Sequence, residues 1–261
     1  MEYRQRTGLL LEAALQVAGA TRSYRLYKTI IECVAMFKIG TTSVSDVETI
    51  QWFKKTMLQT YGGDDGMPRI IISDKKIETP GEDEIATEDS CQLELELKRG
   101  HTENFVKQKI EMAKKMNIPP QVALHSYREG WWVLLRAKNL DGGSDATLSN
   151  SELETNPLLA ALDSGAKQRF KNETEENRLL TVWPIIVSNV GQESCKAKIR
   201  FKAPPKPGRY EILVDVKSQD FLSCDETFSM TIDVADKKLL PDRQNKEDQG
   251  KVGDGESKKT Q

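Results

Sequence analysis

The chain has 261 residues, enough for one large domain or two ordinary ones, and its 38% hydrophobic and 30% charged residues predict packed parts separated by polar segments. The 38 basic and 40 acidic residues give a net charge of −2, whereas a dedicated nucleic-acid-binding domain is usually basic, so we expect no direct nucleic-acid binding. No apolar run approaches the roughly 20 residues that cross a bilayer, and no signal-peptide pattern follows Met1, which predicts a soluble chain.

Residues 1–66 are predicted to form a small helical segment. Apolar side chains recur at helical spacing within residues 9–18 and 26–37, and a capping box at residues 45–48 precedes a third such run that ends near residue 58. We interpret these short apolar stripes as surfaces that pack against the rest of the protein.

The pattern changes to β character after residue 67. Residues 69–73 form a β-rich run, and residues 92–98 alternate apolar and polar side chains, as in a strand with one buried face. Between them, residues 74–90 carry seven acids and two lysines, a net charge of −5. We interpret this segment as a solvated acidic loop; a docking site for a basic partner is the alternative.

Two insertions are expected, at residues 100–120 and 140–177. The first is a charged amphipathic helix at residues 103–116, with Pro119 and Pro120 just after its end, and the second is polar with one apolar island at residues 158–162. Between the two insertions, residues 131–135 resume β character.

Four further strands are predicted at residues 179–187, 195–201, 210–216 and 227–234. About seven strands then lie within residues 67–235, which is typical of an immunoglobulin-like (fibronectin-III-like) β-sandwich. With the helical segment before it and the helical insertion, the predicted class is α+β. Residues 236–261 carry seven basic and six acidic residues and are expected to be a disordered tail.

Few residues offer catalytic or metal-binding chemistry. The two histidines, His101 and His125, are too few for a multi-histidine metal site, and the four cysteines form no Cys-x-x-Cys pair, which suggests buried thiols in a reducing compartment. No carboxylate lies in an apolar context that would raise its pKa. We therefore predict no catalytic, cofactor or metal site; an enzyme would need His125 beside a carboxylate in a deep cleft.

Three segments resemble one known family, the Sec-sixty-three domain. Residues 128–135 (Arg-Glu-Gly-Trp-Trp-Val-Leu-Leu) resemble its Glu-x-Trp-Trp strand, and residues 201–210 (Phe-Lys-Ala-Pro-Pro-Lys-Pro-Gly-Arg-Tyr) resemble its Phe-x-Ala-Pro-x-Lys-Pro-Gly-x-Tyr strand entry. Residues 218–225 (Ser-Gln-Asp-Phe-Leu-Ser-Cys-Asp) resemble a turn that ends in an aspartate. The candidate partner-binding or fold-defining residues in these motifs are Trp131, Trp132, Ala203, Pro204, Lys206, Pro207, Gly208, Tyr210 and Asp225.

The adjacent tryptophans Trp131 and Trp132 are expected on opposite faces of their strand. One of them should fill the core between two sheets. The other should face outward, where a loop, the insertion or a partner covers it.

The resemblance implies a non-catalytic interaction module in post-translational protein translocation at the endoplasmic reticulum. In that family, edge strands and loops of the sandwich contact cytosolic loops of the Sec channel. Sec translocon channel subunits are therefore the implied partners, and membrane association is expected only through them. The implied location is the cytosolic face of the endoplasmic reticulum membrane, or the cytoplasm if the chain is complete as given. The same module follows helicase cassettes in Brr-two-type RNA helicases, so a helicase-associated scaffold is the alternative.

Some positions depart from the family pattern. Gln219, Phe221 and Ser223 replace the family's Asp, Tyr and Gly, so a contact made by that turn is not carried over. The tail is charge-balanced where related proteins offer an acidic tail to the Sec-sixty-two partner, and that partnership is not carried over either. No helicase motif is present, which favours translocation over the helicase role. The J domain and membrane spans of the translocation protein are missing as well, so we expect a fragment, a split J protein or a sandwich that works alone.

Overall fold

The computed structural model describes residues 2–39, 68–125, 129–142, 157–171, 177–222 and 224–240. Its helices are α1 (Glu2–Ala20), α2 (Tyr24–Ile39), α3 (Thr102–Lys115), α4 (Pro120–His125), α5 (Pro157–Ala160) and α6 (Ser164–Lys171). Its strands are β1 (Ile70–Glu78), β2 (Ile85–Ala86), β3 (Ser90–Arg99), β4 (Glu129–Asn139), β5 (Leu179–Val187), β6 (Ser194–Lys202), β7 (Gly208–Ser218) and β8 (Glu226–Ala235). The fold class of the described residues is therefore α+β, with the β-strands dominant.

The strands form two sheets that pack face to face. One sheet has the order β1-β3-β6 and the other the order β2-β8-β7-β4-β5, and the pairings are antiparallel except for the short parallel contact of β2 with β8. Alternate residues of each strand point between the sheets, so Leu93 and Leu95 of β3 meet Val133 of β4 and Val214 of β7 in one core.

A pair of helices forms a third layer on the outer face of the five-stranded sheet. Leu134 lies between two inward-facing residues of β4 and therefore points outward, yet it is fully buried because α1 and α2 cover it. Ala18, Tyr27 and Ile31 of the two helices pack against Leu134 and against Leu179 of β5. The apolar stripes of these helices are thus used for packing.

The predicted acidic loop at residues 74–90 is wrong at both ends. β1 continues to Glu78 after a register shift between Ile72 and Asp74, and β3 begins at Ser90. The strand prediction rested on the β-rich run at residues 69–73, and the charged residues that follow the bulge gave no such signal. The two-residue strand β2 within the segment was not predicted.

The first insertion holds α3 and α4, which follow one another as a helical hairpin between β3 and β4. In the second insertion, Leu159 of the apolar island is buried against Ala20 of α1 and Leu162. The predicted third helix up to residue 58, residues 143–156 of the second insertion and residues 241–261 of the tail lie outside the described residues, whereas Lys237–Leu239 form a 3-10 turn. None of the helices in the described ranges is long and apolar enough to cross a membrane.

Candidate functional site

The two tryptophans of β4 lie on opposite faces of the strand, as expected. Trp131 is in the core between the sheets. Trp132 is half-buried on the outer face, where its ring meets the Tyr27 ring of α2 edge-on with 5.9 Å between the ring centroids. The outward tryptophan is therefore covered by the N-terminal helices of the same chain.

Glu129, at the start of β4, lies at the centre of a buried polar network. Its Oε1 accepts hydrogen bonds from Trp131 Nε1 at 2.6 Å and from Arg99 Nε at 3.1 Å. Its Oε2 lies 2.6 Å from Arg99 Nη2 and 2.8 Å from His101 Nε2. His101 Nδ1 accepts from the backbone N–H of Arg69 at 2.9 Å, which leaves Nε2 to donate to the carboxylate.

This network uses the whole acceptor capacity of the Glu129 carboxylate. Each oxygen receives two donors, and the Arg99 guanidinium also donates to the carbonyls of Val190 and Gln192. Glu129 is only 2% exposed, and through Arg99 its carboxylate links the end of β3, the start of β4 and the loop between β5 and β6. Within the described residues the role of this network is structural, and we call Glu129 with Arg99, His101 and Trp131 the Glu129 lock.

The sequence pattern did not single out Glu129, which is buried among hydrogen-bond donors and not in an apolar environment. The sequence did contain a signal for its burial, because Glu129 and Trp131 are two residues apart on one strand and so share the inward face. Arg99 and His101 follow the alternating run of β3 and lie at the same end of the sandwich as Glu129. No local sequence pattern indicated that these side chains would meet. His125 is exposed at the end of α4.

The turn after β7 meets β4 beside this lock. The backbone N–H of Gln219 donates to the carbonyl of Gly130 at 2.9 Å, and the Gln219 side chain lies where a Cβ on residue 130 would project. Phe221 is buried in the core, and Ser218 Oγ accepts the Phe221 N–H at 3.1 Å. Two of the three positions that depart from the family pattern, Gln219 and Phe221, are thus firmly placed; Ser223 lies outside the described residues.

Asp225 takes part in a charged contact between layers. The Lys217 ammonium pairs with Asp225 at the end of the turn, and Glu32 of α2 lies 3.6 Å away. The Lys217 side chain is largely buried, and Asp225 balances its charge at close range while Glu32 adds a longer contact from α2. A second such contact joins Arg136 of β4 to Asp215 of β7 at 3.0 Å and to the ring of Tyr24, 3.7 Å from the guanidinium carbon. The helices are therefore held on the sheet by charge as well as by apolar packing.

The other motif lies at the opposite end of β7. Tyr210 is buried and its hydroxyl donates to the carbonyl of Lys206 at 3.1 Å, which closes the turn at the start of the strand. Ala203 and Pro204 are buried, while Lys206 and Pro207 are exposed. Gly208 has a φ of +144°, and a Cβ there would come within 3.0 Å of Asp141, so the motif's glycine is required by the backbone and by the space.

A groove of about 1050 Å³ borders this second motif, between β1 and β8. It is acidic: Glu78, Glu82, Asp83, Glu84, Asp141 and Asp233 line it together with Lys76 and Arg209. β2 pairs with β8 only at Val234 and Ala235, so within the described residues the rest of that edge has no partner strand. We call this region the acidic groove.

The predicted site residues do not form one cluster. Trp131, Trp132 and Asp225 lie near one end of β7 and the proline-rich motif lies at the other, and the 11 residues of β7 span roughly 33 Å between them. Among the described residues, no group of three His, Cys, Asp or Glu side chains is placed to hold a metal ion. The arrangement is suited to fixing the fold and presenting surfaces.

Comparisons with known proteins give little more. No protein-family model and no curated protein matches the chain. Among solved structures, the CARDB domain of a protein from Pyrococcus furiosus, in complex with di-metal ions, matches with 10% sequence identity and a TM-score of 0.29. The match covers 64% of this chain and 89% of that one, and it is too weak to support a functional inference.

Proposed function

We propose that the chain is a non-catalytic interaction module of the protein translocation machinery at the endoplasmic reticulum, acting on the cytosolic face through Sec channel subunits. The backbone hydrogen bond from Gln219 to Gly130, which does not depend on the side chain at position 219, is the observation that carries the proposal. It joins two of the three segments that resemble the Sec-sixty-three domain, the Glu-x-Trp-Trp strand and the turn at residues 218–225.

The finer fold assignment, an immunoglobulin-like sandwich of the fibronectin-III kind, is part of this proposal. Three strands in one sheet and four long strands in the other, linked in the orders β1-β3-β6 and β8-β7-β4-β5, support it. The Tyr210 hydroxyl bonded to the backbone four residues upstream supports it as well, since a tyrosine corner at the start of the equivalent strand is a hallmark of such sandwiches.

The buried network supports a non-catalytic role. Glu129 belongs to the Glu-x-Trp-Trp strand and His101 is bonded to it, and both side chains are enclosed and bonded to other groups of the protein. A general acid or base must reach a substrate proton within hydrogen-bond distance. Because Glu129 and His101 are hydrogen-bonded inside the protein, we assign them to the stability of the fold and not to proton transfer.

The acidic groove is the surface that we assign to the partner. Its six acidic and two basic side chains favour a basic segment, and the open edge of β8 offers backbone groups to an extended chain. Asp83 and Glu84 are exposed, and they lie in the segment for which docking of a basic partner is the alternative interpretation.

Co-purification from detergent-solubilised endoplasmic reticulum membranes tests the proposal. The full chain, tagged and immobilised, is expected to retain Sec channel subunits. Asp83→Lys in the acidic groove should reduce their recovery several-fold, and Glu193→Lys, at an exposed position outside the groove, should leave it unchanged.

The outcomes separate the two parts of the proposal. Recovery of spliceosomal particles without channel subunits would overturn the translocation role in favour of the helicase-associated one. If Asp83→Lys leaves the recovery of channel subunits unchanged, the translocation role is retained, but the acidic groove is not the surface that binds them.

A further inference from the structure

The helical hairpin of α3 and α4 carries exposed apolar residues at its tip. Met112 is 46% exposed, Met116 65%, Ile118 38% and Val122 57%, and they lie along the end of α3, the connecting turn and α4. No residue of α4 is buried. The tip is therefore an apolar surface that the described part of the chain leaves in contact with solvent.

The tip is held in a fixed conformation. Asn117 has a φ of +54°, and the N–H groups of Asn117 and Ile118 donate to the carbonyls of Lys114 and Ala113 at 3.2 and 2.9 Å. These two bonds form a Schellman motif that ends α3. At the root of the hairpin, Phe105 is buried against Val190 and meets the His101 ring at 4.6 Å between centroids. The apolar side chains are thus presented by an anchored turn.

The hairpin has the opposite charge to the whole chain. Residues 102–125 contain four lysines and two glutamates, a net charge of +2, whereas the chain has a net charge of −2. Lys109 and Lys115 lie three residues before and after Met112 and so flank it on the helix surface. Lys114 and Lys115 occupy the last turn of α3, directly before the tip.

We propose that this tip docks on an anionic membrane surface. A stable protein interface buries about 800 Å² per partner from some 20–30 residues, and four side chains at the tip of one hairpin cannot supply that area. A few inserted apolar side chains flanked by lysines do give reversible attachment to anionic headgroups. The proposal does not depend on the translocation role, and it replaces the expectation that membrane association occurs only through channel subunits with a direct contact.

Vesicle flotation of the full chain tests the proposal. We expect the protein to float with phosphatidylcholine vesicles that contain phosphatidylserine, to float much less with phosphatidylcholine alone, and to dissociate as the salt concentration is raised. The double variant Lys114→Gln/Lys115→Gln should lower the partition coefficient roughly 30-fold, since each lysine near an anionic surface contributes roughly fivefold. Met116→Ser/Ile118→Ser should lower it roughly tenfold or more, because the inserted apolar area is lost.

Two variants elsewhere on the surface serve as matched controls. Leu239→Ser removes an exposed apolar side chain, and Lys196→Gln removes an exposed lysine on β6; both should float like the unmodified chain. All substituted side chains are exposed, so unchanged melting temperatures are expected for every variant. The proposal is overturned if the unmodified chain does not float, if it floats equally with both vesicles, or if the hairpin variants float as well as the controls.

Discussion

Glu129 combines a charge with nearly complete burial, which is stable only when every lone pair is satisfied. Four donors from Arg99, His101 and Trp131 meet this requirement, and the charge is balanced by the arginine. The group joins the end of β3, the start of β4 and, through the Val190 carbonyl, the loop between β5 and β6. Breaking such a buried pair from one side leaves a charge without a partner.

Glu129→Gln should therefore destabilise the protein strongly. The amide keeps one acceptor, but its NH2 group faces donors, and the Arg99 guanidinium loses its counter-charge. We expect the free energy of unfolding to fall by about 3–5 kcal/mol, measured by denaturant titration. Glu94→Gln is the control, since Glu94 pairs with Lys198 on the surface and its loss should change little. Equal effects of the two substitutions would contradict the assignment of Glu129 as a structural lock.

Among the elements, the helix pair on the outer face of β4 determines what Trp132 does. Its indole lies between the sheet and α2, against Tyr27 and beside the buried Leu134. Because this layer belongs to the same chain, we assign Trp132 to packing and not to partner binding.

Trp132→Ala is expected to lower the free energy of unfolding by about 3 kcal/mol, the lower end of the range for buried aromatic residues, because this indole is only half-buried. Trp183→Ala on the edge strand β5 provides the comparison, with an expected loss of about 1 kcal/mol or less. Thermal or denaturant unfolding measures both losses. A Trp132→Ala protein with unchanged stability and weakened channel recovery would show instead that the indole contacts a partner.

The sequence predicted those elements whose periodicity is uninterrupted. β5 and β6 agree with the predicted strands to within one residue, and the helix at residues 103–116 is shifted by one residue. β1 extends beyond its prediction because its second half is charged and was interpreted as part of the acidic loop, and β2 is too short to show any period. The Glu129 lock joins residues about 30 positions apart, so only folding brings its members together.

At the scale of the whole molecule, the polar groups between the layers limit the pH range of the fold. Burial raises the pKa of Tyr27 from 10.0 to about 12. Burial, together with the nearby Asp215 carboxylate, raises the pKa of Tyr24 to about 12 as well. Both tyrosines lie on α2 and face the sheet, Tyr27 against Trp132 and Tyr24 against Arg136. Their neutral forms are therefore favoured by the docked helix layer.

The stability of the protein should consequently fall at alkaline pH. A tyrosine whose folded pKa lies above its unfolded value contributes fully below pH 10, and its contribution is lost as the pH rises from about 10 towards 12 because the unfolded chain releases the proton first. Burial also raises the pKa of Cys224 from 9.0 to about 12, so the decline should begin near pH 9. Tyr27→Phe keeps the ring against Trp132 and removes one ionisable hydroxyl, so its free energy of unfolding should decline less steeply between pH 10 and 12 than that of the unmodified chain. Denaturant unfolding across this range measures both curves, and parallel curves would show that Tyr27 ionises as freely in the folded protein as in the unfolded chain.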